Sequence, residues 1–336
     1  MAIPMTPPKG AHDFLAQAGW AGAVIAPLAG DASFRRYFRV TRDNKRAVLM
    51  DAPPPHEDPR PFIEIAEWLC AQGFNGPRIY AQDLARGLVL IEDFGNARMR
   101  EAIDADPTRE ATLYRGVVSL LAELHTKPAM ALPLYDAKVY LREVALFTEW
   151  YCPALAIDVD AQGFKQAWDA VFTTVLTDTS RSVTVLRDYH AENIMLLDGR
   201  EGFVDGLSAL GLLDFQDALV GHPAYDLVSM LQDARRDVSA TIERDMLRYY
   251  KSLAQYSQNF IDVYHILGAQ RNVKILGIFM RLWKRDNKPH YRAFQSRVWG
   301  YLERDLAHPA LAPVKEWFDA NITTDMRAAA WTVYAK

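Results

Sequence analysis

The hydrophobic pattern of the chain changes near residue 92, and this change constrains the fold more than any other feature. Before it, apolar residues alternate or form short runs, as on the predicted strand face shared by Phe34, Arg36, Phe38 and Val40. After it, apolar residues recur at helical spacing, most clearly over residues 113–124. Alternation is typical of half-buried strands, and a period near 3.6 is typical of amphipathic helices. The pattern predicts an α+β fold in which a small β-rich part precedes a larger, mostly helical part.

Individual elements can be predicted along the chain. Helices are expected at residues 12–18, 62–69 and 113–124, the second ended by Gly73. The prolines within residues 51–59 exclude a helix or a central strand there, because proline lacks the N–H donor. Strands are expected at 34–40, 47–50, 78–81 and 88–91, and small buried strands within the helical part at 183–186, 194–197 and 210–213.

The length of 336 residues fits two domains or lobes, at roughly 150 residues for each. The change of pattern divides the chain into an N-terminal lobe at 1–91, a connecting segment at 92–96 and a C-terminal lobe at 97–336. The two lobes need not be independent domains, since one unit with unequal lobes accounts for the whole length.

Charge and composition exclude several classes of protein. The 38 basic and 42 acidic residues give a net charge of −4, so the basic footprint of a nucleic-acid-binding protein is missing. Cys70 and Cys152 are far apart and lie in no metal-type pair, which indicates two reduced, packed thiols. No apolar stretch reaches the ~20 residues of a membrane helix, and no signal peptide is visible. We expect a soluble, cytoplasmic, monomeric protein that binds neither nucleic acid nor membrane.

One set of residues carries a chemical pattern. Asp188 is followed five positions later by Asn193, and Asp214 ends the next apolar run. A phosphoryl-transfer site needs a carboxylate to orient the acceptor hydroxyl and oxygen ligands to hold Mg²⁺. The alternative is that all three are turn and capping residues, because Asp and Asn favour such positions.

The surrounding sequence resembles the aminoglycoside phosphotransferase and choline kinase superfamily, whose members are relatives of protein kinases. Besides the segments around Asp188 and Asp214, the match includes Leu-Leu-Ala-Glu-Leu-His at 120–125 and Gly-His-Pro-Ala-Tyr-Asp-Leu at 221–227. The resemblance implies a protein-kinase-like fold that uses ATP as co-substrate. It further implies that Asp188 positions the acceptor, that Asn193 and Asp214 bind Mg²⁺, and that Asp226 braces the catalytic loop.

A narrower resemblance comes from the segments at 31–40, 50–54, 269–279 and 301–309 taken together. This set is similar to bacterial anomeric sugar kinases that act on N-acetylmuramate and N-acetylglucosamine in cell-wall recycling. The resemblance implies that the anomeric hydroxyl of an amino sugar is phosphorylated. On the same basis His190, within the loop, and Arg281, in a basic stretch at 281–292, are candidate sugar contacts. Packing for His190 and a solvated helix end for Arg281 are the alternatives.

On the nucleotide side the chain departs from the protein-kinase pattern. Only Gly30 precedes the first strand pair, so the backbone N–H groups around Ser33 and Phe34 are expected near the phosphates. The strand lysine that holds the phosphates is missing from the run Arg-Ala-Val-Leu-Met at 46–50. Either Mg²⁺ neutralises more of the phosphate charge, or one of the arginines Arg35, Arg36 and Arg39 takes the place of the lysine.

Further positions follow from the same comparison. Glu92 and Phe94 lie where the family binds adenine through main-chain groups, although a plain linker is the alternative. Glu64 and Glu67, on the helix that usually supplies the lysine's partner, are expected at the surface.

His125 and His222 are expected to have structural roles, since a lone histidine beside a helix end or a proline usually finds a hydrogen-bond partner nearby.

Two other functions of the protein are alternatives to the amino-sugar kinase. One is a kinase for another alcohol such as an aminoglycoside, choline or homoserine, and the basic stretch at 281–292 argues against a polycationic acceptor. The other is a nucleotide-binding pseudokinase that regulates a partner.

Overall fold

The computed structural model describes residues 5–28, 34–204, 206–253, 256–323 and 325–327. The chain forms two compact units, one of residues 1–113 and 192–217, the other of residues 114–191 and 218–336. Residues 192–217 thus group with the β-rich N-terminal residues. The predicted lobes at 1–91 and 97–336 with a connector at 92–96 stay a prediction.

The strands, in chain order, are β1 (Val24–Pro27), β2 (Arg36–Arg42), β3 (Lys45–Asp51), β4 (Ile79–Asp83), β5 (Leu88–Glu92), β6 (Val183–Val185), β7 (Ile194–Glu201), β8 (Ser208–Leu212) and β9 (Leu219–Gly221). The helices are α1 (Ala11–Gln17), α2 (Arg60–Ala71), α3 (Met99–Ala105), α4 (Glu110–Leu124), α5 (Ala137–Leu146), the single turn α6 (Cys152–Ala154), α7 (Ala161–Leu176), α8 (Ala224–Leu231), α9 (Ala240–Leu253), α10 (Phe260–Lys284), α11 (Gln295–Leu306) and α12 (Ala312–Asn321). A π-helical segment, Phe147–Tyr151, joins α5 to α6.

The first unit contains an antiparallel five-stranded sheet in the order β1-β2-β3-β5-β4. Asp43 and Asn44 both have positive φ, as a two-residue turn between right-twisted strands requires, and they join β2 to β3. The alternation predicted for β2 is confirmed where Phe38 and Val40 are buried. The predicted start of this strand is wrong, because β2 begins at Arg36 and Phe34 is 66% exposed.

The sequence prediction missed β1, which pairs with β2 at one edge of the sheet. This strand ends on Pro27, and an edge is where a residue without an N–H donor is tolerated. The predicted amphipathic helix is confirmed as α2, which buries Phe62 and Ile65 while Glu64 and Glu67 face solvent, also as predicted.

The β7–β8 hairpin belongs to this unit because its backbone continues the hydrogen bonding of earlier segments. The N–H of Leu212 donates to the carbonyl of Asn75 at 2.9 Å, and the N–H of Leu196 donates to Ala97 at 2.7 Å. These bonds join residues that are far apart in sequence, so the hairpin is fixed within the first unit.

The second unit is built around α10, a helix of 25 residues that is buried over most of its length. Even its polar residues Gln270, Arg271 and Asn272 are buried, and each is hydrogen-bonded: Asn272, for example, donates to the side chain of Gln232 at 2.7 Å. A helix that is buried on several faces is typical of the core of a large helical unit. A short antiparallel ladder of β6 and β9 lies in the same unit.

Both cysteines are free thiols, as predicted. Cys152 is buried, but Cys70 is exposed, so the prediction of a packed thiol is wrong for Cys70. Over the described ranges of the chain, no helix combines the length and the apolarity needed to cross a membrane.

Candidate active site

Asn193 and Asp214 come together at one end of the β7–β8 hairpin in the first unit. Ile194, the first residue of β7, is opposite Leu212, the last residue of β8. In an antiparallel pair, the residue before one strand and the residues after the other lie at the same end. The Leu213 N–H accordingly donates to the Asn193 carbonyl at 3.0 Å, and Asn193 Nδ2 donates to Asp214 Oδ2 at 3.3 Å.

Asp214 is held in a left-handed backbone conformation, with φ at 59°. For a residue with a side chain this conformation stores strain, which is common at functional sites. The following residue, Phe215, is fully buried and stacks on Phe62 of α2 with ring centroids 5.1 Å apart. Gln216 Nε2 donates to Asp214 Oδ1 at 3.0 Å. Packing and hydrogen bonds on both sides therefore fix the direction of the Asp214 carboxylate.

The donor set at this end of the hairpin fits Mg²⁺ better than a metal that needs an all-protein cage. Mg²⁺ takes oxygen ligands, usually one or two carboxylates together with substrate phosphates and waters. Asp214 supplies a carboxylate, and Asn193 supplies an amide oxygen once its amide turns from the present contact through Nδ2. Within the part of the chain that the structure describes, no group of three His, Cys, Asp or Glu side chains could hold a metal ion.

The loop that contains Asp188 lies in the second unit and follows β6. The carboxylate of Asp226, at the start of α8, accepts the N–H groups of Leu186 at 2.6 Å and Arg187 at 2.8 Å. The Asp226 side chain is completely buried, and this burial raises its pKa to about 7. These two bonds are the contacts that a bracing role requires. Asp188 itself is half-buried, and its backbone bonds to Leu186 and His190 close a tight turn.

Arg187 is fixed on both sides of its α-carbon. Its φ is 69°, again in the left-handed region, and its carbonyl accepts the Ser229 hydroxyl at 3.0 Å. Its guanidinium forms an ion pair with Glu143 of α5. Because Arg187 precedes Asp188, these contacts set the backbone direction at the candidate catalytic residue.

Glu143 is a buried carboxylate that the sequence analysis missed. Besides Arg187, it accepts from the Tyr135 hydroxyl, from Gln270 at 2.9 Å and from Lys274 at 3.0 Å. Burial is the largest single influence and raises the pKa of Glu143, but the charges of Lys274 and Arg187 and the hydrogen bonds from Tyr135 and Gln270 together hold the pKa below its usual value. No local pattern could have identified this cluster, because its members come from separate segments.

His190 is buried, and its Nε2 lies 3.1 Å from Nη1 of Arg235. Burial lowers the pKa of His190 well below its usual value, and Arg235 and Arg271 lower it further. Arg235 was also missed from the sequence. The other sugar-contact candidate, Arg281, is half-buried in the last turn of α10, and its Nε has no hydrogen-bond partner among the described residues.

His125 and His222, for which structural roles were predicted, are held by side-chain hydrogen bonds. Both are buried in the second unit, where His125 Nδ1 bonds to the Tyr250 hydroxyl and His222 Nε2 bonds to Asp178 at 3.2 Å.

The predicted adenine-binding segment follows β5 in the first unit. The N–H of Glu92 donates to the Arg78 carbonyl at 2.9 Å, so this main-chain donor is already used within the unit. Phe94 packs so closely on Gly211 that a Cβ there would come within 2.7 Å of its ring. A cleft of about 370 Å³ adjoins this segment, and its lining includes Arg46, Asp93, Phe94, Leu197 and Arg200.

Two of the three arginines that could replace the missing lysine are engaged by buried carboxylates. Arg36 donates to Asp51 through Nε at 2.8 Å and through Nη2. Arg39 donates to Asp93 at 2.7 and 3.0 Å and to the Gly95 carbonyl at 3.1 Å. Arg39 therefore ties β2 to the segment after β5. Arg35, the third candidate, also forms an ion pair, with its Nε 3.5 Å from Oε2 of Glu57, a carboxylate that is more exposed than the other two.

The loop before β2 was predicted to bind phosphate, and the structure describes only part of this loop. Ser33 lies outside the described residues. The N–H of Phe34, which was expected to point to a phosphate, donates to the Glu57 carboxylate at 3.3 Å in this structure. The Phe34 ring stacks on His56 with centroids 5.1 Å apart.

Comparison with known proteins places these features in context. Residues 24–259 match the family model described as the phosphotransferase enzyme family. The chain is 36% identical to the N-acetylmuramate/N-acetylglucosamine kinase of Caulobacter vibrioides, with 94% of this chain and 96% of the relative covered. It is 35% identical to the protein of the same name from Pseudomonas aeruginosa, over 88% of this chain and 87% of the relative.

Solved structures show the same fold at low sequence identity. A choline/ethanolamine kinase family protein from Mesorhizobium loti superposes with a TM-score of 0.61 at 15% identity, covering 89% of this chain and 94% of that one. The choline kinase LicA from Streptococcus pneumoniae gives 0.57 at 14% identity, covering 86% and 94%. The predicted α+β, protein-kinase-like fold is confirmed.

Proposed function

The chain belongs to the phosphotransferase enzyme family, and from this premise we propose that it is an ATP-dependent kinase for N-acetylmuramate and N-acetylglucosamine. The observation that carries the proposal is the 32–36% identity, over most of both chains, to four curated kinases with that activity in their name. The acceptor is the anomeric hydroxyl, and the product is the sugar 1-phosphate.

In this reaction the acceptor oxygen forms a bond to the γ-phosphorus, and the bond from that phosphorus to the bridging oxygen of ADP breaks. Asp188 accepts a hydrogen bond from the anomeric hydroxyl, orients it toward the phosphorus and takes its proton late in the transfer. Positioning and electrostatic stabilisation supply most of the rate in such transfers. The hydrogen bonds and ion pairs that fix Leu186 and Arg187 keep Asp188 in place.

Asn193 and Asp214 are the residues that would hold Mg²⁺ bound with ATP. When bound, the ion neutralises charge on the phosphates. The residues of the chain contribute a carboxylate whose direction is fixed by Gln216 and by the packing of Phe215.

For the nucleotide, the Glu92 carbonyl and the Phe94 main chain contact adenine, and Arg35 together with the backbone of Ser33 and Phe34 contacts the phosphates. Each of the three arginines pairs with a carboxylate, but the partners of Arg36 and Arg39 are only 2% exposed, whereas Glu57, the partner of Arg35, is 19% exposed. Arg35 therefore fits the position of the missing lysine best.

The test measures ATP consumption by the purified chain against N-acetylmuramate, N-acetylglucosamine, choline, homoserine and an aminoglycoside. Phosphorus NMR of the product then distinguishes an anomeric phosphate from other phosphate esters. We expect turnover with the two amino sugars and an anomeric product. Turnover only with another alcohol would refute the acceptor, and bound nucleotide without turnover on the whole panel would favour a binding protein.

Three variants test the residue roles. Asp188→Ala should abolish turnover while nucleotide still binds, and Asp214→Ala should weaken the binding of Mg-ATP. Asp217→Ala is the matched control, because Asp217 is an exposed aspartate three positions beyond Asp214. An active Asp188→Ala enzyme would contradict the assignment.

A cytoplasmic location and a monomeric state complete the proposal. Cell fractionation and light scattering of the purified protein test these two predictions.

A further inference from the structure

A contact between a histidine and an arginine lies next to the candidate catalytic residue. His190 is only 2% exposed, and its Nε2 is 3.1 Å from Nη1 of Arg235. A guanidinium has five N–H donors and no acceptor, so Nε2 must be the acceptor and carry no proton. His190 is therefore a neutral side chain that holds the Arg235 guanidinium in one direction.

The surroundings keep His190 neutral. The guanidinium of Arg271, which is 4% exposed and donates to the Gln232 carbonyl, acts electrostatically on the same histidine and lowers its pKa. The two arginines and the burial oppose protonation of the ring, in agreement with its strongly lowered pKa. The carboxylates near this cluster are those of Asp188, Asp226 and the buried Asp233. The Asp233 carboxylate accepts a hydrogen bond from the backbone N–H of Arg235 at 2.8 Å.

The segment that contains Arg235 is fixed from a second direction by α11. Arg297 donates to the Ala234 carbonyl at 3.0 Å and pairs with Asp237. The Tyr301 hydroxyl accepts the N–H of Val238 at 3.0 Å and donates to the carbonyl of Arg236 at 3.2 Å. A guanidinium on a segment held this way is preorganised, which reduces the entropy lost when it binds a ligand.

Arg235 is also close to the reacting end of the proposed acceptor. His190 follows Asp188 by two residues, a backbone span of at most about 7 Å. The Arg235 side chain is half-buried, so part of it is reachable from solvent. The planar fork of arginine suits a carboxylate, which it binds with two parallel hydrogen bonds.

We propose that Arg235 binds the carboxylate of an acidic sugar and so sets the preference for N-acetylmuramate over N-acetylglucosamine, with His190 as its positioning residue. This inference rests on the proposed function, since the lactyl carboxylate is the group that distinguishes the two sugars. It replaces a direct sugar contact by His190, whose accepting nitrogen is occupied by Arg235.

The experiment compares kcat/KM for both sugars in the wild type and three variants. Arg235→Met removes the guanidinium, and His190→Phe removes the acceptor while keeping a buried ring. Arg244→Met is the matched control, because Arg244 is an exposed arginine of the same unit paired with its neighbour Asp245. The N-acetylglucosamine activity of each variant is an internal measure of correct folding.

We expect Arg235→Met to lower kcat/KM for N-acetylmuramate by about 10- to 100-fold, the usual effect of losing hydrogen bonds to a charged group. Its kcat/KM for N-acetylglucosamine should stay within about threefold, because no carboxylate is involved. His190→Phe should shift the ratio in the same direction by a smaller factor, and Arg244→Met should leave it unchanged.

Each other result overturns the inference. If Arg235→Met leaves the ratio of the two kcat/KM values unchanged, this arginine does not bind the carboxylate. If both kcat/KM values fall equally, the arginine supports the fold instead. A wild type that accepts only N-acetylglucosamine also refutes it. A wild type inactive on both sugars refutes the proposed function and this inference with it, and that result is visible before any variant is compared.

Discussion

Arg187 combines a left-handed backbone with a buried ion pair, and two substitutions separate these contributions. Its φ is 69°, and its guanidinium pairs with Glu143. Alanine removes the side chain but keeps the strained conformation, because it still has a Cβ atom. Glycine removes the side chain and the strain together. The comparison of Arg187→Ala with Arg187→Gly therefore isolates the backbone effect.

The size of each effect follows from the contacts. A left-handed conformation costs a residue with a Cβ atom about 1–2 kcal/mol, whereas glycine loses about 0.5–1 kcal/mol through its larger unfolded-state entropy. The glycine variant should be the more stable by roughly 0.5–1 kcal/mol. Both variants lose the ion pair, but Lys274 and Gln270 still hold Glu143, so this loss should be about 1–3 kcal/mol rather than the full cost of breaking a buried pair.

Urea and thermal unfolding of the two variants, alone and combined with Glu143→Gln, measure these differences. The combination with Glu143→Gln forms a double-mutant cycle. Arg187→Gly should lower the free energy of unfolding by less when Glu143 is already replaced, because the ion pair is then already broken. At an ordinary backbone position alanine is more stable than glycine, so the order of the two variants is diagnostic. An alanine variant as stable as the glycine variant would refute the strained backbone, and an unchanged effect in the cycle would refute the ion pair.

Three further predictions concern other contacts of the fold and site. Phe215→Ala should lower the free energy of unfolding by about 3–5 kcal/mol, because it leaves a cavity against Phe62, and calorimetry should show a smaller loss for Phe215→Leu. Arg39→Met should raise KM for ATP roughly tenfold with KM for the sugar unchanged, because the segment after β5 loses its link through Asp93; equal changes in both KM values would contradict this. Burial raises the pKa of Asp226 from its ordinary 3.8 to about 7, so the folded state binds this proton more tightly than the unfolded state. Its contribution to stability is therefore full below about pH 4 and falls as the pH rises to 7, and Asp226→Asn should remove this slope from unfolding measured across that range.

The sequence could predict those parts of the fold and site that depend on local pattern. The buried alternation of Phe38 and Val40 and the apolar face of α2 follow directly from the spacing of their residues. The meeting of Asn193 and Asp214 was also predictable, because short strands next to each residue imply one antiparallel hairpin. The strand at Val24–Pro27 was missed because its proline was interpreted as the end of an apolar stretch, although proline is tolerated in an edge strand.

The partners of the charged residues could not be predicted in this way. The sequence left Arg35, Arg36 and Arg39 as equal candidates for the phosphates, and only the fold shows that two of them neutralise buried carboxylates. The link between Glu143 and Lys274 joins positions 131 residues apart.

The sequence by itself thus determined the type of chemistry and the elements that carry it, since residue type, spacing and period are local properties. The tertiary structure decided which charges are neutralised, which histidine is held neutral and which arginine it orients. Such assignments depend on burial and on contacts between distant segments, and neither is encoded in the spacing of neighbouring residues.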